Sequence, residues 1–257
     1  MLYVIEDKGS RDYQEDRHVV DFKLIHDVQF FAVFDGHGNE KVAVFLKLYM
    51  KDLVRRELMC QNNRTVEHCL YTAFERLQSV LPKDISMHAG STALVILRIK
   101  NKLYVANVGD CRAVINNNNK ALTVTEDHKP TSPSEYDRIQ RVGGSVIFDP
   151  FGVPRVNGYL ALSRAIGDFH LAPAVTWVPD IYTVTLTNAN RYIILASDGL
   201  WDALSSQDAV DIVQTEFDKS LWMKNPRSAL QKVCSSMLRT ARERGSGDNI
   251  TILFLLL

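Results

Sequence analysis

The sequence predicts an α+β fold in which antiparallel sheets carry helices on their outer faces. Three observations lead there. Segments with the make-up of strands come in runs, and segments with helical spacing come in pairs. The two kinds therefore do not alternate one for one, as a parallel α/β sheet requires. Finally, no linker, repeat or low-complexity stretch divides the 257 residues, so a single domain over residues 1–257 is expected.

The elements follow in order. Tyr3–Ile5, Arg17–Phe22 and Phe30–Phe34 read as short strands, with Asp7–Ser10 as a turn. From Glu40 the period changes: Val42, Leu46, Tyr49 and Leu53 recur at helical spacing. After a polar break at Asn62-Asn63, Val66, Leu70, Ala73, Leu77 and Leu81 repeat it. Thr92–Ile99 and Leu103–Val108 form a hairpin across Lys100–Lys102. Ala113–Ile115 and Ala121–Val124 form another across Asn116–Asn119, because asparagine tolerates the positive φ of a turn. Ser134–Val142 is a helix stopped by Gly143-Gly144. Ser145–Pro179, punctuated by Pro150, Pro154 and Pro173, reads as a long surface excursion with short strands, where a binding flap would sit. Tyr192–Ala196 is a buried strand and Ser206–Phe217 a helix. A further helix has Asn225 as its cap and Pro226 at its first position, and buries Leu230, Val233, Met237 and Ala241. Ile250–Leu257 closes the chain as a strand.

Composition narrows the function. Thirty basic and thirty acidic side chains cancel, so no overall field favours nucleic acid or an anionic membrane. The longest apolar run, ITILFLLL, is far below the ~20 residues a bilayer span needs. MLYVIEDKGS carries no basic-then-apolar leader, and Cys60, Cys69, Cys111 and Cys234 lack paired metal spacing and read as reduced thiols. The expectation is an intracellular protein, cytoplasmic or nuclear, monomeric, without nucleic-acid or membrane partners.

The chemistry gathers at strand ends. FFAVFDG, YIILASDG and YVANVGD place Asp35, Asp198 and Asp110 just after strands. GSGDNITILFLLL and RDYQEDRHVV place Asp248, Glu15 and Asp16 just before them. Antiparallel neighbours bring the end of one strand beside the start of the next, so these acids can meet at one edge. A single Asp-Gly after a strand is ordinarily a turn. A cluster of carboxylates instead repels itself unless a cation lies between. Oxygen donors without a Cys or His cage select Mg²⁺ or Mn²⁺ over zinc, and the four charges of Glu15, Asp35, Asp198 and Asp248 match two dications. His37, two residues past Asp35, is either a structural histidine or a proton donor. Arg11, four before Glu15, is either a solvated charge or a bidentate clamp on an anionic group.

RDYQEDRH, VFDGHGN, GSTALVIL, YVANVGDCRAV, EDHKP, DRIQRVGGSV, NGYLALSRAIGD, SDGLWD and GSGDNIT occur in this order from about Tyr3 to Leu257. The set resembles the metal-dependent protein phosphatases of the type 2C (PPM) family. The resemblance implies a four-layer α-β-β-α sandwich, two central antiparallel sheets flanked by helices. It also implies hydrolysis of phosphoserine and phosphothreonine by a water or hydroxide held between two Mg²⁺ or Mn²⁺ ions. Asp35 would bridge the metals, Asp198 and Asp248 would complete one site, and Glu15 with the Gly36 carbonyl would serve the other. Asp110 and Asp202 match positions of a weaker third metal. Arg11 would hold the phosphate, His37 would act as general acid, and Asp16, Thr92 and Asn249 would support the ligands.

Three departures stand out. Asn39 replaces a small residue after DGHG, the stretch after SRAIGD is short, and no room for a regulatory domain is expected. None touches a metal ligand. No cysteine has an arginine six residues on, and no Gly-Lys-Ser/Thr phosphate loop occurs, which argues against a cysteine phosphatase and an NTPase. The alternative of another class is a pseudophosphatase that binds phosphoproteins or a partner without turnover. Loss of Asp35, Asp198 or Asp248 would have signalled it, and all are present.

Overall fold

The computed structural model describes residues 1–60, 63–217 and 219–257, so Asn62 of the predicted polar break lies outside the described residues. Strands β1 (Leu2–Asp7), β2 (Arg17–Ile25), β3 (Val28–Phe34) and β4 (Gly36–His37) come first. Helices α1 (Lys41–Met59), α2 (Val66–Val80) and α3 (Lys83–Ser86) follow. Thr65 caps α2 by accepting from His68 N. Then come β5 (Gly90–Ser91), β6 (Ala93–Ile99), β7 (Lys102–Val108), β8 (Arg112–Asn117) and β9 (Lys120–Thr123). The turn between the last two uses only Asn118 and Asn119 at positive φ, while Asn116 and Asn117 stay in β8. Two such residues suffice for the tight hairpin turns that match strand twist.

After α4 (Pro133–Arg141) the excursion contains β10 (Val146–Phe148), β11 (Pro154–Val156) and β12 (Ile166–Gly167). It is a surface feature only in its first half. Phe148 and Phe151 are exposed, whereas Ser163, Ala165, Ile166 and Asp168 are buried. The expectation of a wholly surface segment is corrected here: β12 pairs with β5, which draws the chain back into the protein. An edge strand that was not expected, β13 (Asp180–Thr185), pairs with β7. Its residues are only half-buried, which is why no apolar alternation marks it. The chain ends with β14 (Asn190–Ala196), α5 (Asp198–Trp201), α6 (Ser206–Glu216), α7 (Lys219–Lys224), α8 (Pro226–Glu243) and β15 (Ile250–Leu256).

Two five-stranded sheets form the centre, in the orders β1-β15-β14-β8-β9 and β13-β7-β6-β3-β2, antiparallel throughout. Alternate residues of each strand serve different layers. Phe31, Val33, Leu94 and Ile96 meet Ile193, Leu195, Leu253 and Leu255 between the sheets. Phe30, Phe34, Val95 and Leu97 instead face Leu46, Met50, Leu70 and Phe74 of α1 and α2. Ile194, Ile252 and Phe254 pack on Val210, Leu230, Val233 and Met237 of α6 and α8. This is the α-β-β-α sandwich. Each fully buried large side chain contributes about 1.5–3 kcal/mol. Burial on both faces explains the unbroken apolar run of β3. In α1 the predicted face holds at Val42 and Leu46 and continues through Met50 and Val54, but Tyr49 turns outward.

The register places the site. Arg17 pairs with Phe34 and Ala93 with Val108 in one sheet, while Arg112 pairs with Ala196 and Asp7 with Ile250 in the other. The predicted acids therefore leave both sheets at the same end.

Candidate active site

Asp35 leaves β3 held on both backbone groups. Its N–H donates to Thr92 Oγ1 (2.9 Å), and its carbonyl accepts from Thr92 N (2.8 Å). Gly36 pairs with Ser91, and a Cβ there would lie 2.9 Å from the Glu15 carbonyl, so only glycine lets that loop pass so close. Asn249 ties the N-terminal loop to β15: its Oδ1 accepts from Glu15 N (2.7 Å), and its Nδ2 donates to the carbonyls of Lys8 (2.8 Å) and Tyr13 (3.0 Å). Asp16 is buried, and its Oδ2 accepts from Ser197 Oγ (2.8 Å), linking the two sheets. Thr92, Asn249 and Asp16 thus hold the backbone that carries Asp35, Glu15 and Asp198.

Asp198 opens α5 and Asp202 follows it one turn later, its N–H donating to the Asp198 carbonyl (2.8 Å). Asp110, in the β7–β8 turn, is buried. These acids repel one another. Burial, then Asp16, Asp198, Asp110 and Asp248, pushes the Asp35 carboxyl well above the usual range. Burial, then Asp110 and Asp202, does the same to Asp198. Burial raises Glu15 and Asp202, and raises Asp16 to about 6.

Two cations answer the cluster. Arg11, exposed, donates from Nη2 to Asp248 Oδ2 (2.6 Å). Lys129 pairs with Asp110; burial alone would lower its pKa, but Asp110, Asp198 and Asp202 keep the ammonium charged. Lys129 was missed at the level of sequence, where EDHKP counted only as part of the ordered motif set. The donors suit a hard dication by chemistry, being all oxygen and mutually repelling. Among the described residues, however, no three His, Cys, Asp or Glu side chains converge as a metal-holding group. Arg11 and Lys129 instead pair directly with Asp248 and Asp110.

His37 sits in β4 next to this cluster, partly exposed, with Nε2 2.6 Å from Asp168 Oδ2. Asp168 was also missed. The signal was present: AIGD repeats the apolar-Gly-Asp pattern of VGD at Asp110. Glu15 lies within reach of the charges of both His37 and Arg11, and a cavity of ≈ 390 Å³ is lined by Arg11, Asp202, Arg244 and Asp248.

In class, this is a layered α+β protein whose two sheets open a carboxylate-rich cleft at their common end. The family is more particular. The Protein phosphatase 2C family model matches residues 3–250, and the chain belongs to that family. It is 36% identical over 99% of its length to a probable protein phosphatase 2C of Oryza sativa subsp. japonica, of which it covers 65%. It is 33% identical over 98% of its length to the Homo sapiens integrin-linked kinase-associated serine/threonine phosphatase 2C, covering 71% of that protein. Another rice relative is longer still, and the chain spans 48% of it. The fold is shared with a serine-threonine phosphatase 2C from Toxoplasma gondii (TM-score 0.86, 24% identity, 99% of this chain and 94% of that one). A C. elegans sex determining protein shares it too (TM-score 0.90, 23% identity, 100% of this chain and 64% of that one).

Proposed function

We propose that this chain hydrolyses phosphoserine and phosphothreonine in proteins and requires Mg²⁺ or Mn²⁺ to do so. One observation carries the reading: carboxylates from the ends of both sheets lie close enough to raise one another's pKa, with His37 and Arg11 beside Glu15, in a chain of the phosphatase 2C family. Glu15, Asp35, Asp198 and Asp248, with the Gly36 carbonyl, are the groups that would hold two cations, and Asp110 and Asp202 a weaker third. Bound there, the cations would neutralise charge on the phosphoryl oxygens and acidify the attacking water. Arg11, exposed beside Asp248, grips two phosphate oxygens with its planar guanidinium. His37 gives a proton to the departing serine or threonine oxygen, a step worth roughly 10²–10⁴-fold. Asp35 holds its place through Thr92, and Glu15 through Asn249. No protein nucleophile is needed. The same proposal takes residues 1–257 as one catalytic domain, a monomer, in an intracellular setting, cytoplasmic or nuclear, with phosphoproteins as substrates.

The test is phosphate release from a phosphoserine peptide with Mn²⁺, set against the same reaction in chelator. Release that is metal-dependent and lost in Asp198→Asn is expected. No release at any metal concentration would leave a binding protein in place of an enzyme. His37→Gln separates the proton donor from a structural role. It should depress the peptide reaction far more than hydrolysis of nitrophenyl phosphate, whose leaving group needs no proton.

A further inference from the structure

We propose that Asp168 is the positioning residue of His37: its carboxylate accepts the Nε2–H and leaves Nδ1 as the nitrogen that faces the leaving oxygen. This rests on the reading of His37 as general acid. Asp168 is 3% exposed, and a buried carboxylate is costly unless a partner compensates it. The described side-chain partner of Asp168 is His37, at 2.6 Å, and the described partner of the His37 ring is Asp168 alone.

The surroundings are built around this contact. Asp168 lies in the left-handed region (φ 45°, ψ 42°), which an acid enters only at some cost. Gly167 before it is also at positive φ (97°). Both are held by β5 and its approach: Gly167 pairs with Gly90, and Asp168 N donates to the Ala89 carbonyl (3.0 Å). His37 pairs with Gly90 from the other side. Any Cβ on Gly90 would overlap Asp168 Oδ2 and come within 2.7 Å of His37 Nε2. A three-stranded sheet, β12-β5-β4, thus leaves one side chain out of its middle strand so that an acid and an imidazole can touch across it. Strain, burial and a missing Cβ converge on one hydrogen bond.

The step balances simply. The Nδ1 proton of the imidazolium passes to the ester oxygen as that oxygen takes the electron pair of the breaking P–O bond. The ring is left neutral, its Nε2–H still hydrogen-bonded to Asp168, and water restores the Nδ1 proton. Asp168 touches no reacting atom. It sets the ring's direction and the tautomer.

Asp168→Asn keeps the shape and, because asparagine tolerates the left-handed region, the backbone. Turnover should fall roughly 10- to 100-fold on a phosphoserine peptide, a share of the general-acid factor, and less than about threefold on nitrophenyl phosphate. In a His37→Gln background the same change should cost nothing more, since the two act as a unit. ¹⁵N spectra of the Mg²⁺ form give an independent readout: the neutral His37 ring should be the Nε2–H tautomer in the parent and a mixture in Asp168→Asn. Equal losses on both substrates, additivity with His37→Gln, or an unchanged tautomer would each overturn the proposal. If His37→Gln itself lacks the leaving-group effect, the general-acid reading fails. The tautomer then still decides whether Asp168 directs the ring.

Discussion

Two of the charged clusters in this molecule are settled in opposite ways. Under the flap, Glu135 accepts from Arg138 (2.9 Å) and Arg164 (2.7 Å), Arg164 also donates to Asp180 (2.7 Å), and Asp180 meets His128 (3.1 Å). Burial alone would raise Glu135, but its hydrogen bonds to Arg164 and Arg138 outweigh that and bring it down to about 2. His128, then Arg164, brings Asp180 to about 2 as well. At the sheet ends the pattern reverses: Asp35 and Asp198 are pushed well up, with Arg11 and Lys129 against seven acids. The first cluster is balanced within the chain, whereas the second keeps an excess of acid. An uncompensated carboxylate cluster is a stability cost that an external cation removes.

The sharpest way to break this contrast is to neutralise one acid in each cluster. Asp198→Asn should lower phosphopeptide turnover by about a thousandfold or more, the equivalent of several kcal/mol of charge stabilisation, while the metal-free fold survives. Near-normal kcat at saturating Mn²⁺ would disprove the ligand role. Glu135→Ala should do the reverse and cost up to about 3–5 kcal/mol of stability, because it removes the buried carboxylate on which the partly buried Arg138 and Arg164 converge. Urea unfolding reads this directly, and an unchanged midpoint would mean the network is ornamental.

Acid probes the balanced cluster in the parent protein. A carboxyl whose pKa is depressed on folding stabilises the fold above its unfolded value, and that stability is lost as pH falls through the folded one. For Glu135 the window runs from about 4.5 down to about 2, and the loss is on the order of 3 kcal/mol. In Glu135→Gln, the acid limb of the stability curve should flatten over that window.

On the proposed function, the unbalanced cluster should respond to metal instead. Mg²⁺ or Mn²⁺ at a hundred times its Kd should add about 2.7 kcal/mol by binding only the folded state. Calorimetry should show this gain in the parent and a smaller one in Asp198→Asn. Equal gains in both would place the ion elsewhere. The smallest effect on stability belongs to Arg11→Ala. The Arg11–Asp248 pair is 58% and 37% exposed, so its loss should change stability by only about 0–1 kcal/mol. Its KM for phosphopeptides should nevertheless rise, and unchanged kinetics would reduce Arg11 to a surface charge.

Much of this was legible without a structure, and the limits have physical causes. Apolar runs such as FFAVF and ILFLL announced themselves because both faces of a central strand are buried in a four-layer sandwich. The edge strand β13 went unseen because only a central strand needs that composition. Cap signals held at Asn225, whose side chain accepts from Ser228 N, since capping is a local matter. The acids at strand ends were readable for the same reason: a side chain just past a strand emerges at the sheet's end whatever the sheet order.

What the sequence by itself determined was thus the layer architecture, the common end at which Asp35, Asp198, Asp110, Asp248, Glu15 and Asp16 emerge, and the neighbourhood of His37 and Arg11. Those depend on periodicity and on contacts near in the chain. Tertiary structure alone decided which cation meets which acid. Lys129 reaches Asp110 across 19 residues, and Arg11 reaches Asp248 across 237. It alone also brought Asp168 to His37, 131 residues away, through a sheet of two-residue strands too short to leave any pattern. Pairings of that kind have no period to read. They exist only once the burial of the two sheets has brought distant loops to one end and left their charges to find each other.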